Sequence, residues 1–270
     1  LGTDFEIVNP EDDPRYDDYW RGYHQIMERN GVSPDAARTI IRTKTTVIAA
    51  MMLWRGEADA MICGTIGQYR RHLGHVLDVI GKAEGVLGVS ALSTLIMPSG
   101  TFFLCDTQVS EKPTVEELAE MIRLSAEAVS RLGEVPKIAL LSHSNFGAAP
   151  TESAVRMRRA VELVTQQAPD LEIDGEMQAD LALDEDLRQR IFPNSRLKGQ
   201  ANLMILPDLN AANIAFNLLK SLGGGLPIGP MLIGTAKPVH ILMPSVTARG
   251  IVNMSALAVV DAQSRMAENS

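Results

Sequence analysis

Aromatic residues make up only 4% of this 270-residue sequence, so its core has to be built from aliphatic side chains and its 13 methionines. Cysteine is scarcer still. Cys63 and Cys105 stand far apart inside apolar runs, which excludes a disulfide framework or a zinc spacing. Two buried, reduced thiols in a cytoplasmic protein are the expectation. No apolar run extends to about 18 residues before Gly, Pro, Arg or Asp interrupts it, so no helix is expected to span a membrane. Basic residues are outnumbered, 25 Lys+Arg against 33 Asp+Glu, and the net charge of −8 argues against a nucleic-acid binder. A small local basic pocket remains compatible with that balance. The opening Leu1-Gly2-Thr3-Asp4 lacks an initiator Met and any basic or apolar signal segment, and a strand-like run follows at once. A fragment of a longer chain is expected.

What is present is an ordinary globular balance, 46% hydrophobic and 21% charged, long enough for one large domain or two packed ones. Short apolar runs at residues 5–8, 59–63, 101–105, 138–141, 203–206 and 239–242 read as strands. Their near-continuous hydrophobicity suits strands covered on both faces, as in a mainly parallel sheet. Between them lie amphipathic segments. Thr114 with Glu117 forms a capping box, an apolar stripe runs from Val115 to Leu132, and Gly133 closes that helix. Ser33-Pro34 opens another, running toward Trp54. This alternation predicts an α/β fold.

Ligands in open α/β sheets bind at loops leaving the carboxyl ends of strands. Two such loops stand out: Ser142-His143-Ser144-Asn145-Phe146-Gly147, and Pro207-Asp208-Leu209-Asn210. The first offers hydroxyls, an imidazole, an amide and backbone N–H groups suited to a phosphate, although a plain connection fits equally. Residues 193–199 and 221–230 also read as loops. Asp174, Glu176 and Asp180 could gather a cation, but a turn with solvated acids is the commoner use of such a run. Arg70, Arg71, His72 and His75, and Arg156, Arg158 and Arg159, make two basic spots that by default are solvated helix faces. His240, inside an apolar strand, reads as a hydrogen-bonded core residue. No P-loop, dinucleotide fingerprint, H-E-x-x-H or G-x-S-x-G is present. No catalytic residue and no metal ligand is assigned.

Several stretches, in order along the chain, resemble the phosphate acetyl/butyryltransferase family. They are Gly56-Glu57-Ala58-Asp59-Ala60-Met61, Pro113-Thr114-Val115-Glu116-Glu117-Leu118-Ala119-Glu120, Ala139-Leu140-Leu141-Ser142-His143-Ser144, Asp174-Gly175-Glu176-Met177-Gln178, Ala201-Asn202-Leu203, residues 207–214, and Ala236-Lys237-Pro238-Val239. The resemblance implies two α/β domains with mainly parallel sheets and a cleft between them, like isocitrate and isopropylmalate dehydrogenases. The first would be residues 1–85 plus 234–270, lacking its opening strands, and the second residues 86–233. It also implies acyl transfer between coenzyme A and phosphate.

Departures from the family pattern are concentrated where that chemistry would lie. A Ser-Arg pair and a following acid, implied after Lys237-Pro238, are replaced by Met243, Pro244 and Gly250. A phosphate-side arginine is replaced by Gly74, and a Lys-Gly-Ser loop reads Phe146-Gly147-Ala148. Losing a positioned acid–base group costs roughly 10²–10⁴ in rate. This combination resembles one branch, the C-terminal transacetylase-like domain of bacterial hybrid NADP-dependent malic enzymes. That branch implies an acetyl-CoA-binding regulatory and oligomerisation domain, forming homo-oligomers and attached to a malic-enzyme catalytic domain. NADP and a divalent metal would belong only to that absent region, and this chain would carry no cofactor of its own. Ser142, Ser144, Asn145, Lys237, Arg249 and Asn253 are the candidate acetyl-CoA contacts. The alternatives are an active phosphate acetyltransferase, with Arg249 or Arg71 substituting for a lost cation, and a purely structural oligomerisation domain.

Overall fold

The computed structural model describes residues 5–268, which group into two compact units. One holds the residues up to Ala83, Thr235–Ser245 and those from Ser255 onward; the other holds Glu84–Gly234 and Val246–Met254. In chain order the elements are α1 (Tyr16–Met27), α2 (Pro34–Thr43), α3 (Thr45–Trp54), β1 (Met61–Cys63), α4 (Tyr69–Val79), β2 (Ser90–Met97), β3 (Gly100–Cys105) and α5 (Val115–Arg131). There follow β4 (Ile138–Leu141), α6 (Glu152–Gln167), β5 (Ile173–Met177), α7 (Ala179–Leu183), α8 (Glu185–Ile191) and β6 (Leu203–Ile205). The chain ends with α9 (Leu209–Leu222), β7 (Leu226–Ile233), β8 (Val239–Ile241) and α10 (Ala248–Glu268). The α/β class and the dominance of parallel pairing are as expected.

In the first unit β1 and β8 pair in parallel, Met61 opposite Val239 and Cys63 opposite Ile241. Helix α3 is apolar nearly all round, and Val47, Ala50, Met51 and Leu53 are at most 1% exposed. The single helix expected from Ser33 to Trp54 is two. Ser33 caps α2, its hydroxyl accepting from Ala36 N, but Lys44 is extended and breaks the path. The flanking Thr43, Thr45, Thr46 and Val47 are β-branched and weaken helix continuation there. Residues 5–8 form no strand: no described strand pairs with them, and Phe5 and Ile7 stay exposed.

The second unit is built on a six-stranded sheet in the order β5-β4-β6-β3-β2-β7. The first four strands run parallel; β2 pairs antiparallel with both β3 and β7. Helix α5 starts with the expected capping box at Thr114 and Glu117 and buries Leu118, Met121, Ile122 and Val129. A core of Leu95, Phe102, Leu104, Met204, Leu206, Ala212 and Phe216 joins α9 to strands β2, β3 and β6. A second, of Ala139, Met177, Leu181, Ala182, Leu197 and Ala201, packs around β4 and β5. Truncating one such side chain to alanine costs about 2–5 kcal/mol.

Strands β2, β5 and β7 were not expected from sequence. Residues 221–230 read as a loop, yet β7 begins at Leu226, and its Pro227 and Pro230 are tolerated because β7 is an edge strand. β5 carries two carboxylates and a glycine, a polar pattern that hides a fully buried strand. Among the described residues no helix is long and apolar enough to cross a membrane. Both cysteines are free thiols, and burial pushes the Cys63 thiol up to about 12.

Candidate functional site

Because β3, β4, β5 and β6 run parallel, their carboxyl ends deliver four connections to one edge of the second unit's sheet. Asp106 follows β3, residues 142–147 follow β4, Gln178 follows β5, and Pro207 and Asp208 follow β6. This edge is where the fold class places ligands.

Each connection is pinned by a carboxylate or an amide. Asp106, 3% exposed, accepts from the backbone N–H groups of Ala91, Gln108, Val109 and Ser110 at 2.9–3.1 Å. Asp208 caps α9 by accepting from Ala211 N at 2.9 Å, and Arg156 donates to the Pro207 carbonyl at 2.9 Å. The 142–147 loop is governed by Glu176, which is fully buried. Its Oε1 accepts from the Ser144 hydroxyl and from Gly147 N, both at 2.8 Å, while its backbone carbonyl accepts from Phe146 N. Arg158 Nε lies 3.6 Å from Oε2. Asn145 and Gln178 exchange two hydrogen bonds, Nδ2 to Oε1 at 3.0 Å and Gln178 N to Oδ1 at 2.7 Å.

The donors of the loop therefore face the protein. Ser144 N goes to the Ser142 hydroxyl, Ala148 N to the Asn145 carbonyl, and Ala149 N to Ser144 Oγ. With Phe146 N and Gly147 N also committed, little of the loop backbone remains to cradle a phosphate. Ser142 is half-buried and His143 exposed, so the chemistry this edge offers a ligand comes from hydroxyl, imidazole and amide side chains. The Ser144 hydroxyl is buried and donates to the Glu176 oxygen that also accepts from Gly147 N, so it holds the loop in place.

Ser142, Ser144 and Asn145 are thus brought together. Lys237 belongs to the first unit, where its ammonium donates to the Leu53 and Trp54 carbonyls at 2.7 and 3.3 Å and caps the end of α3. Arg249 is exposed in the first turn of α10, and Asn253 is half-buried one turn on.

Four readings of charged groups need correction. Asp174 and Glu176 are not solvated acids: Asp174 is 7% exposed and accepts from the Ser195 hydroxyl and Arg196 N, because β5 buries both carboxylates against donors from other segments. Arg156 and Arg158 do not form a solvated face, since each serves a neighbouring loop. His72 bridges the Thr46 hydroxyl and the Ile66 carbonyl, each at 2.8 Å. His240 is buried, but neither ring nitrogen has a hydrogen-bond partner, and burial pushes its pKa down to about 4 despite the Asp261 charge nearby. Among the described residues no three His, Cys, Asp or Glu are placed to hold a metal ion. Asp106 was missed; its one sequence signal is an acid directly after an apolar strand.

A family model described as phosphate acetyl/butaryl transferase matches residues 1–259. The chain belongs to that family. It is 54% identical over 96% of its length to a protein named NAD-dependent malic enzyme from Rhizobium meliloti, and 51% identical over 98% to an NADP-dependent malic enzyme from Escherichia coli. It spans only about a third of those relatives, 34% and 35%. A phosphate acetyltransferase from Clostridium acetobutylicum is 33% identical over 96% of this chain, which covers 79% of that protein. The fold agrees with a crystal structure of a phosphotransacetylase from Streptococcus pyogenes, with a TM-score of 0.91 and 28% identity over 98% of this chain and 80% of that one.

Proposed function

We propose that this chain is the transacetylase-like module of a malic enzyme, where it binds acetyl-CoA and regulates oxidative decarboxylation of malate carried out by the rest of that protein. One observation carries the reading. Over nearly the whole chain, identity is 54% and 51% to malic enzymes but 33% to a stand-alone phosphate acetyltransferase. The substitutions support it: Met243, Pro244, Gly250 and Gly74 stand where the family resemblance implies a hydroxyl, two guanidinium groups and an acid. No side chain at these four positions can accept a proton or hold an anion. The relatives are named for NAD and for NADP, and the proposal assigns that nucleotide and any divalent metal to the two thirds of those proteins that this chain does not span. Self-association through this module and a cytoplasmic location complete the proposal.

Ser142 and Asn145 would meet the ligand from the sheet edge, with Ser144 holding the loop through Glu176, and Arg249 and Asn253 would supply cationic and amide contacts; the Lys237 ammonium, committed to the end of α3, is left out. Inhibition requires that acetyl-CoA bind two states of the parent with different affinity, because equal binding shifts nothing. The test is malate oxidation by the full-length parent, followed as reduced nucleotide, with and without acetyl-CoA. Inhibition that is lost in Ser142→Ala and Asn145→Ala supports the assignment. Rates indifferent to acetyl-CoA in the unmodified parent refute it. A second reading, an active phosphate acetyltransferase, is favoured by the Clostridium relative; it requires acetyl phosphate formation that fails in Arg249→Gln.

A further inference from the structure

The inward turn of the 142–147 loop leaves Phe146 at φ 47°, the one non-glycine residue with positive φ among the described residues. A bulky side chain in that region is strained and marks a position held by its surroundings. Glu176 provides the hold, through Phe146 N on one side and Gly147 N on the other. The result is a placed ring: Phe146 meets Phe192 with centroids 4.7 Å apart and planes tilted by 59°.

These two rings, with Ile191 and Pro193, form the apolar lining of a cavity of about 490 Å³ in the second unit. The polar lining comes from Asp174, Asn194, Ser195 and Arg196, and it is braced rather than loose. Asp174 accepts from the Ser195 hydroxyl at 2.6 Å and from Arg196 N at 2.7 Å. Just beyond, buried Arg188 donates to the Leu197 and Gly199 carbonyls. The Arg196 guanidinium donates only to neutral acceptors, Thr165 Oγ1 at 2.8 Å and the Pro169 carbonyl at 3.4 Å. The same side chain lines a neighbouring hollow of about 240 Å³ beside Lys198, with Asp170 and Glu172 also on its wall.

We propose that this cavity binds a planar aromatic or heteroaromatic molecule bearing one acidic group, its ring against Phe146 and Phe192 and its acid at Arg196. Volumes of roughly 300–1,000 Å³ with an apolar lining and a few placed polar groups are typical of small-molecule sites. Tilted and offset ring contacts favour a flat partner. A guanidinium hydrogen-bonded to neutral acceptors and not paired with a carboxylate can meet the acid of a ligand with two parallel hydrogen bonds, in competition with the nearby Asp170, Glu172 and Asp174. The inference stands independently of the malic-enzyme reading.

The test uses the whole 270-residue chain labelled with ¹⁵N, titrated with 2-naphthoate and, separately, with its neutral counterpart 2-naphthalenemethanol. Saturable amide shifts are expected at Phe146, Ser195 and Arg196, with the acid bound about 10-fold more tightly than the alcohol. Phe192→Ala should weaken both probes about 10-fold. Arg196→Gln, at an exposed position that leaves the core untouched, should bring the acid down to the affinity of the alcohol. No saturable shift at these amides, or unchanged affinities in both variants, overturns the site. Equal affinity for acid and alcohol in the unmodified chain overturns the ligand class.

Discussion

Glu176→Ala isolates the feature that shapes the candidate loop. The substitution strips Oε1 from two donors, the Ser144 hydroxyl and Gly147 N, each at 2.8 Å. A donor left unsatisfied in a buried setting costs about 1–3 kcal/mol. The hydroxyl can rotate and Gly147 is only half-buried, so the lower part of that range applies to each. The Arg158 contact adds little, being 3.6 Å long with Arg158 34% exposed. Loss of the fully buried side chain's packing brings the total to roughly 3 kcal/mol. Urea unfolding followed by circular dichroism would read this as a midpoint lowered by on the order of 1 M. Glu176→Gln keeps one oxygen for the two donors and should recover about half of the loss. Amide exchange at Gly147 and Phe146 should accelerate in the alanine variant before the core strands open. A loss below about 1 kcal/mol with unchanged exchange at Gly147 would show that Glu176 does not set the loop.

Three further outcomes follow from individual contacts. Gly147→Ala forces a side chain into φ +93° and places its Cβ 2.6 Å from Arg158 Nη1, so stability should fall by about 1–2 kcal/mol, measured by the same unfolding. Arg188→Leu leaves the Leu181, Leu197 and Gly199 carbonyls without their donor in a fully buried site; a loss of roughly 3 kcal/mol is expected, and a thermal midpoint equal to that of the unmodified chain would contradict it. His240 has a folded pKa near 4, below its ordinary 6.5, because burial disfavours the imidazolium. Its contribution is therefore fully present above about pH 6.5 and is lost as pH falls toward 4, the window in which the unfolded chain binds the proton first. Stability against pH for His240→Asn should be flatter than for the unmodified chain between pH 6.5 and 4; parallel curves would refute the assignment. Burial shifts His75 in the same direction, so it should be left in place in both proteins.

The parts of the fold that were legible in the sequence are those with a strong local code. The Thr114–Glu117 capping box, the apolar runs of β3, β4 and β8, and the loop after β4 all lie where pattern alone puts them. What escaped was set by partners distant in sequence. β5 is polar by composition and buried by context, its carboxylates answered by Ser144, Gly147, Ser195 and Arg196, up to 32 residues away. β7 looks like a turn because of its glycines and prolines, and becomes a strand by adding to the edge at β2. Of the candidate contacts, Ser142, Ser144 and Asn145 share one loop. The readiness of that loop's N–H groups for a phosphate could not be read from spacing, because it depends on the inward pull of Glu176. Lys237 resembles a ligand cation in sequence and serves as a helix cap in the fold.

The most direct measurement is titration calorimetry of this chain with acetyl-CoA, followed on the same sample by an assay for acetyl phosphate in the presence of phosphate. Saturable binding at one site per chain without acetyl phosphate is the outcome that the proposed regulatory role predicts. Acetyl phosphate formation at an enzymatic rate, or no heat of binding at millimolar acetyl-CoA, would contradict it.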